Sequence, residues 1–124
     1  MDAIGIIVAD LAEAVRFYRL LGVPFDDPGE SPHHEATLPN GLRIMLDTEA
    51  LIKEIEPGWK RPEGVAMGLA FHCGDSAGVD ATFKSVVEAG FKGKAEPWDA
   101  FWGQRYAQVY DPDGNAVDLF ASLD

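Results

Sequence analysis

The sequence predicts an α+β fold of two repeated βαβββ modules whose strands form a curved mixed sheet around a cleft, with the helices outside. Three observations predict it. Hydrophobic spacing switches between strand and helix periods, a strand–Asp–helix order occurs twice, and a Pro-Asx-Gly hairpin turn occurs twice.

The first strand alternates: Ile4, Ile6 and Val8 interleave with Ala3, Gly5 and Ile7. Asp10 then opens a helical stripe of Leu11, Ala14, Val15, Tyr18 and Leu21. Its short carboxylate suits an N-cap, because the first helical turn leaves backbone N–H groups without partners, and Glu13 stands in capping-box position. Gly22 supplies the stop. Residues 33–38 and 42–47 read as strands joined by Pro39-Asn40-Gly41, an Asn-Gly hairpin signal, with further extended structure expected over 23–25.

Residues 48–66 carry one short helical stretch and the loop Glu56-Pro57-Gly58-Trp59-Lys60-Arg61-Pro62. The same grammar then begins again. Residues 68–73 form a strand, Ser76 caps a helix striped by Val79, Phe83 and Val86, and Gly90 ends it. Residues 104–110 and 115–121 are strands joined by Pro112-Asp113-Gly114. Asp10 therefore matches Asp75, Ala3 matches Gly68 and Ile4 matches Leu69. At a slightly larger offset Ile44 matches Val117, Met45 matches Asp118 and Leu46 matches Leu119. The chain reads as one domain, 1–124, with module 1 at about 1–50, a connecting segment at about 51–66 and module 2 at about 67–124. One such module cannot bury both faces of its sheet, so two must close against each other.

Strand alternation sorts the side chains. The apolar face under the helices takes Ile4, Ile6, Val8, Ile44, Leu46, Leu69, Phe71, Ala107, Val109, Val117 and Leu119. The opposite face takes Ala3, Gly5, Ile7, Met45, Gly68, Ala70, His72, Asp118 and Phe120, with Gln104, Tyr106 and Gln108. A wall mixing Gln, Tyr, His and Asp with small and apolar residues points to a ligand cavity with a few polar groups.

Hydrophobic residues make up 47% of the 124, enough for a real core. Ten Lys and Arg against 21 Asp and Glu give a net charge of −11. That balance argues against a nucleic-acid partner, which needs a basic surface, and suits both solubility and a cationic ligand. No apolar run is long enough to span a membrane and no basic stretch precedes an apolar one at the start, so no membrane partner and a cytoplasmic location are expected. Cys73, the single cysteine, has no internal disulfide partner and is expected to pack as a small hydrophobe.

The run Trp102-Gly103-Gln104-Arg105-Tyr106-Ala107-Gln108-Val109, followed by Asp111-Pro112-Asp113-Gly114-Asn115, resembles the C-terminal signature of the vicinal oxygen chelate superfamily. That superfamily contains glyoxalases, bleomycin-resistance proteins and extradiol dioxygenases. Ile7-Val8-Ala9-Asp10, followed by Val15, Phe17-Tyr18, Leu21 and Gly22, resembles its first strand and helix, so the resemblance covers essentially the whole chain. It implies the fold and, from many relatives, a homodimer. It does not by itself imply a chemistry, because one fold carries many.

In metal-dependent relatives, four inward positions chelate a divalent ion. The resemblance puts them on Ala3 and Gly68, where His is common, on Met45, and on Asp118, where Glu is usual. One carboxylate cannot hold such an ion, so no cofactor and no metal are expected at the inherited site. A displaced metal site remains open if His33 and Glu35, which share a strand face, converge with His72.

Candidate catalytic groups are His72, Tyr106 and Asp118, with His72 alternatively a neutral ring satisfied by Asp118 or Tyr106. The run Glu96-Pro97-Trp98-Asp99-Ala100-Phe101-Trp102 is expected to be a loop that closes over a ligand, plugs the barrel end or forms a dimer contact, with Trp59 assisting from the other side. Arg105 either anchors an anion or pairs with an acid such as Asp111. The expected ligand-binding set is Met45, His72, Trp98, Phe101, Trp102, Gln104, Tyr106, Gln108 and Phe120. Three functions follow. The first is a protein that sequesters a planar or cationic small molecule such as an antibiotic, the second a glyoxalase-like lyase, isomerase or dioxygenase with a non-standard site, and the third a structural dimer.

Overall fold

The computed structural model describes all residues except Val65 and Ala66, where the connecting segment was expected to end. The chain divides into two compact units, Met1–Glu63 and Gly64–Asp124.

The first unit contains β1 (Ala3–Val8), α1 (Leu11–Leu20), β2 (His33–Thr37), β3 (Arg43–Thr48) and α2 (Glu49–Ile55). Its sheet order is β1-β3-β2, with β1 parallel and β2 antiparallel to β3. The Asp10 carboxylate accepts from the Glu13 N–H at 3.1 Å, fixing the start of α1 as its cap position requires. Ala14, Val15, Phe17 and Tyr18 of α1 are buried, as are Val8, Ile44 and Leu46 on the sheet. Full burial of Leu46 contributes about 1.5–3 kcal/mol of transfer free energy.

The three strands and α1 follow the strand–helix–strand–strand order of the sequence, and α2 is the short helical stretch expected after them. One expectation for this unit is corrected. Residues 23–25 form no ladder: Val23 and Phe25 are buried as irregular chain, and Phe25 stacks on His34 with ring centroids 5.5 Å apart. Phe17, which lies off the predicted stripe, is fully buried edge-on to Tyr18.

The second unit is a complete βαβββ module: β4 (Leu69–His72), α3 (Ser76–Glu88), β5 (Gly93–Ala100), β6 (Gln104–Tyr110) and β7 (Ala116–Ser122). Its sheet order is β4-β7-β6-β5, with only the β4–β7 pairing parallel. Val79 and Val86 of α3 are buried, and so are Ala107, Val109, Val117, Leu119 and Ala121 on one face of β6 and β7. The repeat survives in the register: Ile4 pairs with Ile44, and their mates Leu69 and Val117 also pair.

Here too the structure corrects the expectation. The cap of α3 is Asp75, whose carboxylate accepts from the Gly78 N–H at 2.7 Å, and Ser76 is the first helical residue. The run expected as an aromatic loop is largely the edge strand β5, and only Phe101, Trp102 and Gly103 form the turn into β6. At Gly93 a Cβ would stand 2.7 Å from the Phe83 ring, so glycine is what lets β5 pass close to α3.

Candidate functional site

The buried face of the second unit's sheet leaves its opposite face for recognition. Across the four strands a single row forms, because His72 pairs with Phe120, Phe120 with Tyr106, and Tyr106 with Trp98. The next row places Ala70 beside Asp118, Asp118 beside Gln108, and Gln108 beside Ala95. Five of the expected ligand-binding residues and Asp118 thus share one face through register alone.

The β5–β6 turn brings Trp102 back onto this face. Its ring centroid lies 5.1 Å from Tyr106 and 5.5 Å from Trp98, both edge-on, and Phe101 stands edge-on to Trp102 at 5.0 Å. Such T-shaped pairs set the positive ring edge against the negative ring face and hold the cluster in shape. Trp98 and Trp102 remain 42% and 46% exposed, so each indole keeps surface for a partner; Phe101 is 92% exposed.

Polar groups complete the wall. Gln108 donates to the Asp118 carboxylate at 2.8 Å. Burial and then the adjacent Asp118 carboxylate push the Tyr106 hydroxyl up to about 12, so at neutral pH it is a proton donor and not a base. His72 is exposed, its ring edge-on to Phe120 at 5.3 Å, and its Nδ1 accepts from the Gly74 N–H at 3.3 Å. Asp118 and Tyr106 are therefore not what orients His72. Arg105 points to the other face and pairs with Asp80 of α3 and Asp99 of β5, not with Asp111. It buttresses the hairpin from behind. Elsewhere in the unit an open depression of about 440 Å³ is lined by Phe91, Lys92, Tyr110 and Pro112. Burial pushes the Cys73 thiol up, away from the reactive thiolate.

In the first unit, His33 and Glu35 share a face with Met45 and Asp47 through the β2–β3 register. His33 contacts both carboxylates, and Arg43, unremarked in the sequence, joins Glu35 to Asp2. Trp59 lies under the Arg61 guanidinium, 5.9 Å from the ring centroid.

The donor chemistry does not fit the divalent ion that metal-dependent relatives hold. Ala3 and Gly68 carry no donor atom, Met45 offers a soft thioether, and the Asp118 carboxylate is engaged by Gln108. Among the described residues, no three His, Cys, Asp or Glu side chains are grouped to hold a metal ion. Nor is any helix among them long and apolar enough to cross a membrane.

Two mixed sheets with helices in repeated modules define the class, and sequence comparison agrees with it. The chain belongs to the Glyoxalase/Bleomycin resistance protein/Dioxygenase superfamily, whose sequence model matches residues 1–119. It is similar in structure to a glyoxalase/bleomycin resistance protein/dioxygenase family enzyme from Burkholderia phytofirmans, with TM-score 0.84, 17% identity and 98% of each chain covered. A protein from Agrobacterium tumefaciens solved by NMR is similar at TM-score 0.75 and 27% identity, covering 99% of this chain and 97% of that one. So is the fosfomycin resistance protein FosX from Listeria monocytogenes, at TM-score 0.73 and 21% identity over 98% and 89% of the two chains. That structure holds Mn(II) and a dihydroxypropylphosphonic acid. No match was found among curated proteins.

Proposed function

We propose that this chain is a cytoplasmic small-molecule-binding member of the superfamily that sequesters a planar or cationic compound, an antibiotic being one such class, without an inherited metal. The observation that carries this reading is the cluster of Trp98, Trp102 and Tyr106, three rings fixed edge-on to one another with both indoles nearly half exposed. Exposed indole faces attract flat and positively charged groups through dispersion and the ring quadrupole. The Asp118 carboxylate lies one row further along the same face, and the net charge of −11 favours approach of a cation. Tyr106, held protonated, and Gln108 supply hydrogen bonds that orient the compound.

Intrinsic tryptophan fluorescence tests the proposal, with planar aromatic cations such as acriflavine and neutral or anionic rings of equal size as controls. Saturable quenching selective for the cations, unchanged by a chelator, is the expected result. Non-saturating, collisional quenching by every compound would remove the reading.

A further inference from the structure

The three-stranded sheet carries a chain of side chains whose charges alternate. Asp2 accepts from Arg43 at 2.6 Å, Arg43 also donates to Glu35 at 2.9 Å, Glu35 lies 3.1 Å from Nε2 of His33, and Nδ1 of His33 lies 2.5 Å from Asp47. Both ring nitrogens of His33 thus face a carboxylate oxygen. A neutral imidazole has one N–H and one lone pair, so it satisfies one carboxylate and turns its lone pair on the other. Only the imidazolium donates to both.

We propose that His33 is held as an imidazolium by Asp47 and Glu35, and that its proton is the clasp fastening strand β2 to β3. The place matters because β2 is an edge strand of five residues whose ladder within its sheet runs to β3 alone. With main-chain bonds on one side only, cross-strand side-chain pairs carry a larger share of its order. The clasp spans both strands: His33 and Glu35 belong to β2, Asp47 and Arg43 to β3.

On β1 the neighbour in the same row, Ile7, is uncharged, and Glu49 at the start of α2 is paired with Arg61. Ser31 receives the His33 backbone N–H at 3.2 Å. His34 bonds the Asp26 carbonyl and belongs to the opposite face.

Contact with Asp47 and then with Glu35 raises the proton affinity of His33, and contact with His33 lowers that of Glu35. For His33, raised on folding, the clasp is complete below the ordinary histidine value and is lost as pH rises through the shifted one. For Glu35, lowered on folding, it is present above the ordinary glutamate value and lost as pH falls through the shifted one. Strand β2 is accordingly fastened in a window between those limits. On loss of the proton to solvent, the face shared with Met45 gains negative charge and β2 loosens.

NMR of the full chain tests this. Ring nitrogen shifts of His33 are followed from acid to alkaline pH together with amide protection factors of β2, in the native chain, Asp47→Asn and Glu35→Gln. The expected result is two protonated ring nitrogens at about pH 7, a lower midpoint in either variant, and β2 protection that falls as His33 loses its proton. A single protonated nitrogen at that pH, a midpoint unmoved by both substitutions, or β2 protection indifferent to the titration overturns the proposal. Should Asp47→Asn fail to fold, the native titration and Glu35→Gln still decide.

Discussion

Trp102 donates its indole N–H to the side-chain oxygen of Gln104 at 2.8 Å, two residues further along the chain. The bond ties the β5–β6 turn to the first residue of β6, so the indole plane is set before any ligand arrives. A preset ring loses little conformational freedom on binding. Trp102→Ala should therefore weaken a stacked planar cation by on the order of 1–3 kcal/mol. Because Trp102 is 46% exposed, thermal stability should change far less than affinity, and a fluorescence titration paired with a melting curve separates the two effects.

Leu119 and Phe101 bracket the range of packing in the second unit. Leu119 is fully buried among the residues facing α3, and Leu119→Ala should cost about 2–5 kcal/mol in a urea titration. Phe101 is 92% exposed, and Phe101→Ser should shift stability by no more than about 0.5 kcal/mol.

The β6–β7 turn rests on Asp111, 4% exposed. Its carboxylate accepts from the backbone N–H groups of Asp113 and Asn115 and from the Asn115 side chain, at 2.8–2.9 Å. Asp111→Ala leaves those donors without their charged acceptor and should cost about 1.5–3 kcal/mol by chemical denaturation. Asp111→Asn should cost less, since the amide oxygen still accepts.

Tyr106 gives a prediction at alkaline pH. Its value is raised to about 12, so its contribution to stability is intact below the ordinary tyrosine value of 10.0 and fades as pH rises through 12. Absorbance of tyrosinate should show a late-ionising component, and Tyr106→Phe should diminish that component while flattening the alkaline loss of stability.

Much of the fold was legible because each signal was local. The Asp10 carboxylate caps the helix that starts immediately after it, and the two Pro-Asx-Gly turns stand where β2 meets β3 and β6 meets β7. Strand β5 was missed for a physical reason. Its register shifts between Gly93 and Ala95 and again between Ala95 and Trp98, and Pro97 lies within it, so no alternation of period two survives. An edge strand tolerates both features because one side needs no ladder. Asp75 was passed over as the cap of α3, although its match to Asp10 in the repeat pointed to it.

Of the candidate site, the strand alternation correctly put His72, Phe120, Tyr106, Gln108 and Asp118 on one face. What it could not give was contact between side chains. The partners of Arg105, Asp80 and Asp99, come from a helix and from the unrecognised strand, and the Gly74 bond to His72 comes from a loop. Arg43 went unnoticed because a lone arginine in a strand carries no motif. Its meaning lies in Asp2 and Glu35, one of them 41 residues away.

The most direct measurement is a calorimetric titration of acriflavine into chelator-treated protein, run in parallel with Trp98→Ala/Trp102→Ala. Stacking on the indole pair predicts saturable binding near one equivalent by the native chain and a loss of at least tenfold in affinity in the double variant, which corresponds to about 1.4 kcal/mol. Binding that the double variant retains in full, or that appears only when a divalent metal is restored, would contradict it.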